Sequence, residues 1–340
     1  MKAAVMKDIS ILKVEEVPEP QPGTDQIKVK IAYCGICGTD IEILEGRFGL
    51  SQQAGEGHFE PTINGHEASG TIVALGDNVQ HGYRVGQRVA MNFRCTCGAC
   101  YYCRNKMEHF CQNVYQASGA FAEYAVYRES AIFPLPDNIS LEHGALLEPV
   151  SIALHGIDLA NIHPGSSVAI SGAGPIGLLM LELALISGAA RVLVSEPVAA
   201  KRQLARKLGA DVVVDPLKEN LEAISNKLTE GRGFDAVIEA SGNLGAARQA
   251  VSLAGKCGTI VWAAVYPKDA EVAVKPFHMF ANELTIRSIF LSPYSFHRAL
   301  NLLPKLDLKP IITDIIPLQD IEKAFALHKK GNSIKILIKP

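Results

Sequence analysis

Residues 168–177 read Val168-Ala169-Ile170-Ser171-Gly172-Ala173-Gly174-Pro175-Ile176-Gly177. Val168 to Ser171 has the length and apolar character of a buried strand, and Ile176 to Ser187 continues as a helical run. A lone Gly-x-Gly-x-x-Gly is weak, and a Gly-rich structural turn is the competing reading. Here the motif leaves a strand and opens a helix, which is the context a dinucleotide site requires. Gly172 permits the tight turn, Gly174 lets a pyrophosphate approach the backbone, and Gly177 allows close helix–strand packing. Pro175 and Ile176 start the helix, whose free N–H groups and positive dipole end suit phosphates. The next strand, Arg191 to Glu196, ends in an acid nineteen positions after Gly177. A carboxylate there accepts from the adenosine ribose hydroxyls and repels a 2′-phosphate, favouring NAD over NADP. Lys201 and Arg202 follow closely, and a basic residue there could receive that phosphate. Arg202 reads more simply as a solvated residue of the next helix.

The pattern repeats outward from this unit. A helix over Ala199 to Leu208 stops at Gly209, followed by a strand over 211–215 and a helix over 217–229. Strands over 235–240 and 259–263 flank a helix near 245–253. This alternation predicts βαβ units and a parallel sheet. It loosens after Pro276, and the tail is expected to pack back on the first part of the chain. Upstream, Ile27 to Tyr33 alternates as a half-buried strand, and 70–76 and 86–90 read as short strands between glycines. Pro18, Pro20, Pro22 and Gly23 add turn chemistry, so this region reads as an irregular β-barrel.

At 340 residues the chain suggests two domains. Thirty-three Lys and Arg against 35 Asp and Glu give a net charge of −2, without the basic excess that nucleic acid or a membrane surface demands. The longest apolar run, 177–186, is broken by Glu182 and is too short to span a bilayer. The first ten residues lack the apolar core of a signal peptide, so a cytoplasmic protein is expected. Eight cysteines there point to metal binding or catalysis rather than disulfides.

Two cysteine groups carry that expectation. Cys97, Cys100 and Cys103 stand at two-residue gaps with Cys111 beyond, the spacing of a closed Cys₄ structural zinc site. Cys95 is a fifth thiol, read as a spectator or as a swap for Cys97. Zinc knuckles also build nucleic-acid modules, but Arg94, Arg104 and Lys106 form no basic stripe. The second group is Cys37-Gly38-Thr39-Asp40 with Gly65-His66-Glu67. Cys34 and Cys37 could be a redox pair, and a lone His66 could be a core histidine. Together Cys37, His66 and Glu67 supply thiolate, imidazole and carboxylate for a catalytic zinc with an open position. Glu148 stands where the pattern wants a hydrophobe, and a buried carboxylate needs a charge or a metal. Its competing reading is a helix-end surface carboxylate.

Taken together the chain resembles the zinc-dependent medium-chain alcohol and polyol dehydrogenases. The resemblance rests on Gly35 to Asp40, Gly65-His66-Glu67 with Gly70, the four-Cys lobe, Gly119 to Tyr124, Glu148-Pro149 and the Gly-rich loop, in order, over nearly the whole chain. Glu67 and Glu148-Pro149 look more like the sorbitol and threonine dehydrogenase branch. The resemblance implies an α/β chain: a GroES-like barrel over 1–149 and 290–340 carrying two zincs, and a Rossmann doubly wound domain over 150–289, with the active site in the cleft between them. It implies that Cys37, His66 and either Glu67 or Glu148 hold the catalytic zinc. Thr39 passes on the substrate proton, and Asp40 orients the site. Many relatives carry a relay histidine five residues after the zinc cysteine; this chain has Glu42, so the relay runs through Glu42, the cofactor ribose or water. The loop from Arg47 to Pro61 looks long enough to shape the substrate pocket.

The implied reaction is oxidation of a secondary alcohol to a ketone with NAD. A polyol, sugar alcohol or cyclitol is preferred, with Asn92, Arg94 and Tyr115 offered to its hydroxyls. Threonine is the runner-up, and a phosphorylated polyol would need an anchor such as Arg47. A non-catalytic dinucleotide-binding protein is the reading from another class. Family dimers extend their Rossmann sheets edge to edge, so a homo-oligomer is expected, with Gly258 to Val265 as the candidate edge.

Overall fold

The computed structural model describes residues 1–47, 61–80, 82–117 and 119–340. The expectation for the loop between Arg47 and Pro61 therefore lies outside the described residues. The chain forms two compact units, Met1–Glu148 with Phe296–Pro340, and Pro149–Ser295.

The first unit is built on the strand Gln26–Gly35. Its even-spaced apolar residues Ile27, Val29 and Ile31 are buried, as the alternation predicts. Glu67–Leu75, Tyr124–Arg128 and Lys335–Lys339 all pair antiparallel with it. Register shifts at Lys28/Val29 and Ile31/Tyr33 bend this strand, as bulges do. The sheet continues through Arg88–Met91 and Ile132–Pro134 on one side and Ile312–Pro317 on the other. The tail thus returns to the first unit as two parallel strands. Its core includes Ile27, Val29, Ile72, Phe121, Tyr127 and Ile336, and each large side chain buried there contributes roughly 1.5–3 kcal/mol.

The second unit is a six-stranded sheet in the order Val212–Val214, Arg191–Ser195, Ser167–Ser171, Phe234–Glu239, Ala254–Trp262, Thr285–Ser288. All its pairings are parallel. The inner strands are apolar on both faces, as a helix-covered sheet requires. Strand order reverses between Ser167–Ser171 and Phe234–Glu239, so their carboxyl ends form the switch point where doubly wound sheets bind ligands.

Two expectations are corrected. The helix expected over 217–229 starts at Leu221. The Asp215 carbonyl accepts from the Lys218 and Glu219 N–H groups, forming a turn, and Asn220 caps the helix through Ala223. Gly258 to Val265 is not an edge: Ala254–Trp262 is flanked on both sides, and Thr285–Ser288 is the edge. That strand has four residues of mixed polarity, mostly exposed, so it presents no apolar run to read. Among the described residues no helix is long and apolar enough to cross a membrane.

Candidate active site

Three clusters emerge, one in the second unit and two in the first. At the switch point Gly172 has φ +97°, and a Cβ there would lie 2.9 Å from the Ser241 nitrogen. A Cβ on Gly177 would lie 2.0 Å from the Gly172 carbonyl oxygen, so helix and turn touch only because both are glycine. Gly174 differs. A Cβ there meets nothing within 4 Å, so its backbone faces open space at the N-cap of the helix Pro175–Ile186. That cradle fits a pyrophosphate. Glu196 follows Arg191–Ser195 and is buried. One carboxylate oxygen accepts from Ala173 N–H at 2.8 Å and the other from Val198 N–H at 2.9 Å. The acid is thereby fixed against the Gly-rich turn. Lys201 lies half-buried on the first turn of the helix Ala199–Lys207.

In the first unit Cys37 precedes the short helix Gly38–Leu44. Asp40, at the third helical position, reaches back so that its Oδ2 accepts from Cys37 N–H at 2.8 Å. This is the reciprocal half of a capping box. Its other oxygen lies 3.5 Å from His66 Nδ1, leaving Nε2 for a metal. Burial disfavours the His66 cation, but Asp40 and Cys37 outweigh it and hold the pKa well above the usual value. Cys37, His66 and Glu67 bring ligand atoms within 4.8 Å of one another, and three such donors leave a position open on zinc. Glu148 is buried among the same groups. Burial raises its pKa to about 7, with His66 and Lys335 pulling it down and Glu67 and Asp40 pushing it up. Thr39 and Glu42 stand one turn apart on the same helix face. Burial raises the Glu42 carboxyl, partly offset by Arg47.

The third cluster is the lobe around Cys100. Its sulfur pairs Cys97–Cys111, Cys100–Cys103, Cys100–Cys111 and Cys97–Cys103 are 3.5, 3.6, 3.9 and 4.0 Å apart. A tetrahedron with Zn–S bonds of about 2.3 Å has edges of about 3.8 Å, so the four thiols fit one zinc. Backbone N–H groups of Cys103 and Gln112 lower Cys100 to about 6, whereas burial and neighbouring thiols push Cys103 up to about 12. Cys95 lies outside this group, in the strand Arg94–Cys95.

Comparison with known proteins agrees with this chemistry. The chain matches the alcohol dehydrogenase GroES-like domain over residues 23–137 and the zinc-binding dehydrogenase domain over residues 175–305. It is 30% identical to sorbitol dehydrogenase of Bacillus subtilis over 350 residues, covering 100% of this chain and 97% of that one. The chain belongs to the zinc-dependent medium-chain alcohol and polyol dehydrogenase family. L-threonine 3-dehydrogenase of Pyrococcus horikoshii is 36% identical, covering 95% and 93%. A crystal structure from Sinorhizobium meliloti 1021, described as a zinc-binding dehydrogenase bound to NADP, superposes with a TM-score of 0.93 at 33% identity, covering 100% and 99%. The protein is accordingly an oxidoreductase that uses zinc and a nicotinamide dinucleotide on small alcohols.

The structure of this dehydrogenase adds residues the sequence did not single out. Lys335, on the last strand, donates to both Glu67 oxygens at 2.7 and 2.6 Å and to the Ile36 carbonyl at 3.0 Å. Gly35 makes room for this pair, since a Cβ there would lie 2.0 Å from Glu67 Oε2. Burial disfavours the Lys335 cation, but Glu67 and Cys37 more than offset it and raise its pKa. Arg202 is not a solvated residue: its side chain is 17% exposed and pairs with Asp215. Tyr115 and Arg94 are also engaged within the fold. The Tyr115 hydroxyl accepts from Gln26, and Arg94 donates to the His109 carbonyl. Arg47 forms an ion pair with Glu45.

Proposed function

We propose that the protein oxidises a secondary alcohol of a polyol, sugar alcohol or cyclitol to a ketone, reversibly, with NAD as acceptor and two zinc ions per chain. The observation that carries this reading is the convergence of Cys37, His66 and Glu67 ligand atoms within 4.8 Å around Asp40, beside a buried Glu148. Cys37 and His66 hold the catalytic zinc. Glu148 and Glu67 share the third ligand role, with Glu148 the larger contributor because both Glu67 oxygens already accept from Lys335. Cys97, Cys100, Cys103 and Cys111 hold the structural zinc. Zinc supplies Lewis-acid polarisation of the substrate hydroxyl, and the dinucleotide supplies the hydride acceptor. Thr39 receives the hydroxyl proton and Glu42, one turn further, passes it toward solvent. Asp40 fixes both the Cys37 backbone and the His66 ring. Glu196 binds the ribose hydroxyls and sets the preference for NAD.

Threonine oxidation is the second reading, favoured by the 36% identity to the Pyrococcus enzyme. A phosphorylated substrate is less well supported, because Arg47 is paired with Glu45. The working form is a homo-oligomer. Thr285–Ser288, the edge of its sheet among the described residues, with Val265 56% and Phe290 48% exposed in the same unit, suits edge-to-edge pairing about a two-fold axis.

The test is reduced-cofactor formation with polyols, cyclitols, L-threonine and simple alcohols, using NAD and NADP in parallel. NAD-linked turnover of a polyol, lost on chelation and in Cys37→Ser, is expected. Turnover confined to threonine would overturn the substrate class. Metal analysis should give about two zincs per chain, and light scattering a multiple of the chain mass.

A further inference from the structure

Glu196 and Asp215 end neighbouring parallel strands at the same level, because Ser195 is in register with Val214 and Glu196 N–H donates to the Val214 carbonyl. Arg202 lies between them. Its Nη1 donates to the Glu196 carbonyl at 2.6 Å and its Nη2 lies 3.1 Å from Asp215 Oδ2. Asp215 is itself pinned. Its other oxygen accepts from Leu217 N–H at 3.1 Å, its N–H donates to Glu219 at 2.8 Å, and its side chain is 7% exposed. Together with the contact from Ala173 N–H to Glu196, this forms one hydrogen-bonded line across the carboxyl ends of three adjacent strands.

Arg202 is also the kind of group that receives a 2′-phosphate. A guanidinium binds phosphate in a fork, and a basic residue near the ribose-binding acid accommodates NADP. Here both ends of that fork are already satisfied. We propose that Asp215 is a cofactor-specificity residue: by holding the Arg202 guanidinium against the Glu196 carbonyl, it withholds a phosphate-binding cation from the adenosine ribose site and keeps the Glu196 strand end in place. Two selectivity elements then act together. Glu196 repels the phosphate, and Asp215 occupies the group that could attract it. The inference rests on the reading of Glu196 as the ribose-binding acid.

The experiment is calorimetric titration of NAD and NADP into the zinc-loaded protein and three variants. The wild-type ratio of dissociation constants tests the NAD preference by itself, and the change of that ratio on substitution tests Asp215. Asp215→Asn removes the charge while keeping the shape. It is expected to raise NADP affinity relative to NAD by about tenfold, the order of one charge-assisted hydrogen bond gained. Asp215→Asn with Arg202→Met should lose that gain. Arg202→Met alone should weaken NAD without selectively weakening NADP, and it carries the test if Asp215→Asn does not fold. An equal change in both cofactors for Asp215→Asn overturns the proposal. So does a gain that survives Arg202→Met, or a selective loss of NADP in Arg202→Met alone.

Discussion

Replacing Lys335 by Met removes the cation that Glu67 depends on. The ammonium makes three hydrogen bonds of 2.6–3.0 Å, two to Glu67 and one to Ile36, and the two residues are 3% and 2% exposed. Breaking one side of a buried pair costs about 3–5 kcal/mol, because the other charge is stranded. For a unit of this size about 4 kcal/mol lowers the calorimetric midpoint by about 8–16 °C. A double substitution separates this mechanism from simple packing loss: Lys335→Met with Glu67→Gln removes both charges and should recover most of the deficit. Scanning calorimetry of both variants, on zinc-stripped protein, checks this. A midpoint shift below about 3 °C in Lys335→Met would refute the idea that Lys335 carries the Glu67 charge. So would a double variant no more stable than Lys335→Met.

Other outcomes follow from the same geometry. Cys100→Ser should lower bound zinc from about two to about one per chain, measured by mass spectrometry of the metal, because a three-thiol lobe no longer closes the tetrahedron. Gly177→Ala should abolish dinucleotide binding in a calorimetric titration, since its Cβ would lie 2.0 Å from the Gly172 oxygen. Gly174→Ala, whose Cβ meets nothing within 4 Å, should leave the unfolding midpoint unchanged and weaken only the cofactor. The zinc-stripped protein should lose stability between about pH 5 and pH 7. Glu148, whose carboxyl is raised from 4.5 to about 7, stabilises the fold only while protonated, and the raised His66 adds its loss only above about pH 6.5. The Glu148 contribution is on the order of 3 kcal/mol. Urea midpoints across that range check the sign, and Glu148→Gln should flatten the slope.

What the sequence made legible was whatever chemistry sits close together along the chain. The Gly-rich turn declares itself within ten residues, and the four thiols within fifteen, because turn and knuckle geometry are set locally. The unread parts depend on sheet order. Lys335 reads as the polar flank of an apolar strand, and its partner Glu67 is 268 residues away. A lysine at the start of the run Ile336-Leu337-Ile338 gave one faint signal, since that strand is buried along most of its length. Arg202 reads as a solvated helix residue until the parallel register sets Asp215 beside Glu196. The edge was misplaced for the same reason. Nothing local in Thr285–Ser288 says that it covers Ala254–Trp262.

The buried charges around His66 form one system rather than a ligand set with bystanders. Asp40, Glu67 and Glu148 are 1%, 2% and 5% exposed, and the Cys37 thiol adjoins them. Lys335 is the ammonium facing them. If all four acids ionise, one lysine leaves the cluster about three negative charges in excess, which a low-dielectric interior does not tolerate. The Glu148 carboxyl at about 7 and the raised His66 are the protein's own response, two groups holding protons to reduce that excess. A divalent cation at Cys37 and His66 supplies the same charge and releases both protons. Zinc affinity should therefore be steeply pH-dependent, with protons released on binding. Lys335 also has a specific consequence for the metal. By neutralising Glu67 it leaves the Cys37 thiolate, Asp40 and Glu148 to face a divalent cation, so the loaded cluster would carry about one negative charge rather than two. A more anionic set would weaken the Lewis-acid pull that zinc would exert on a hydroxyl.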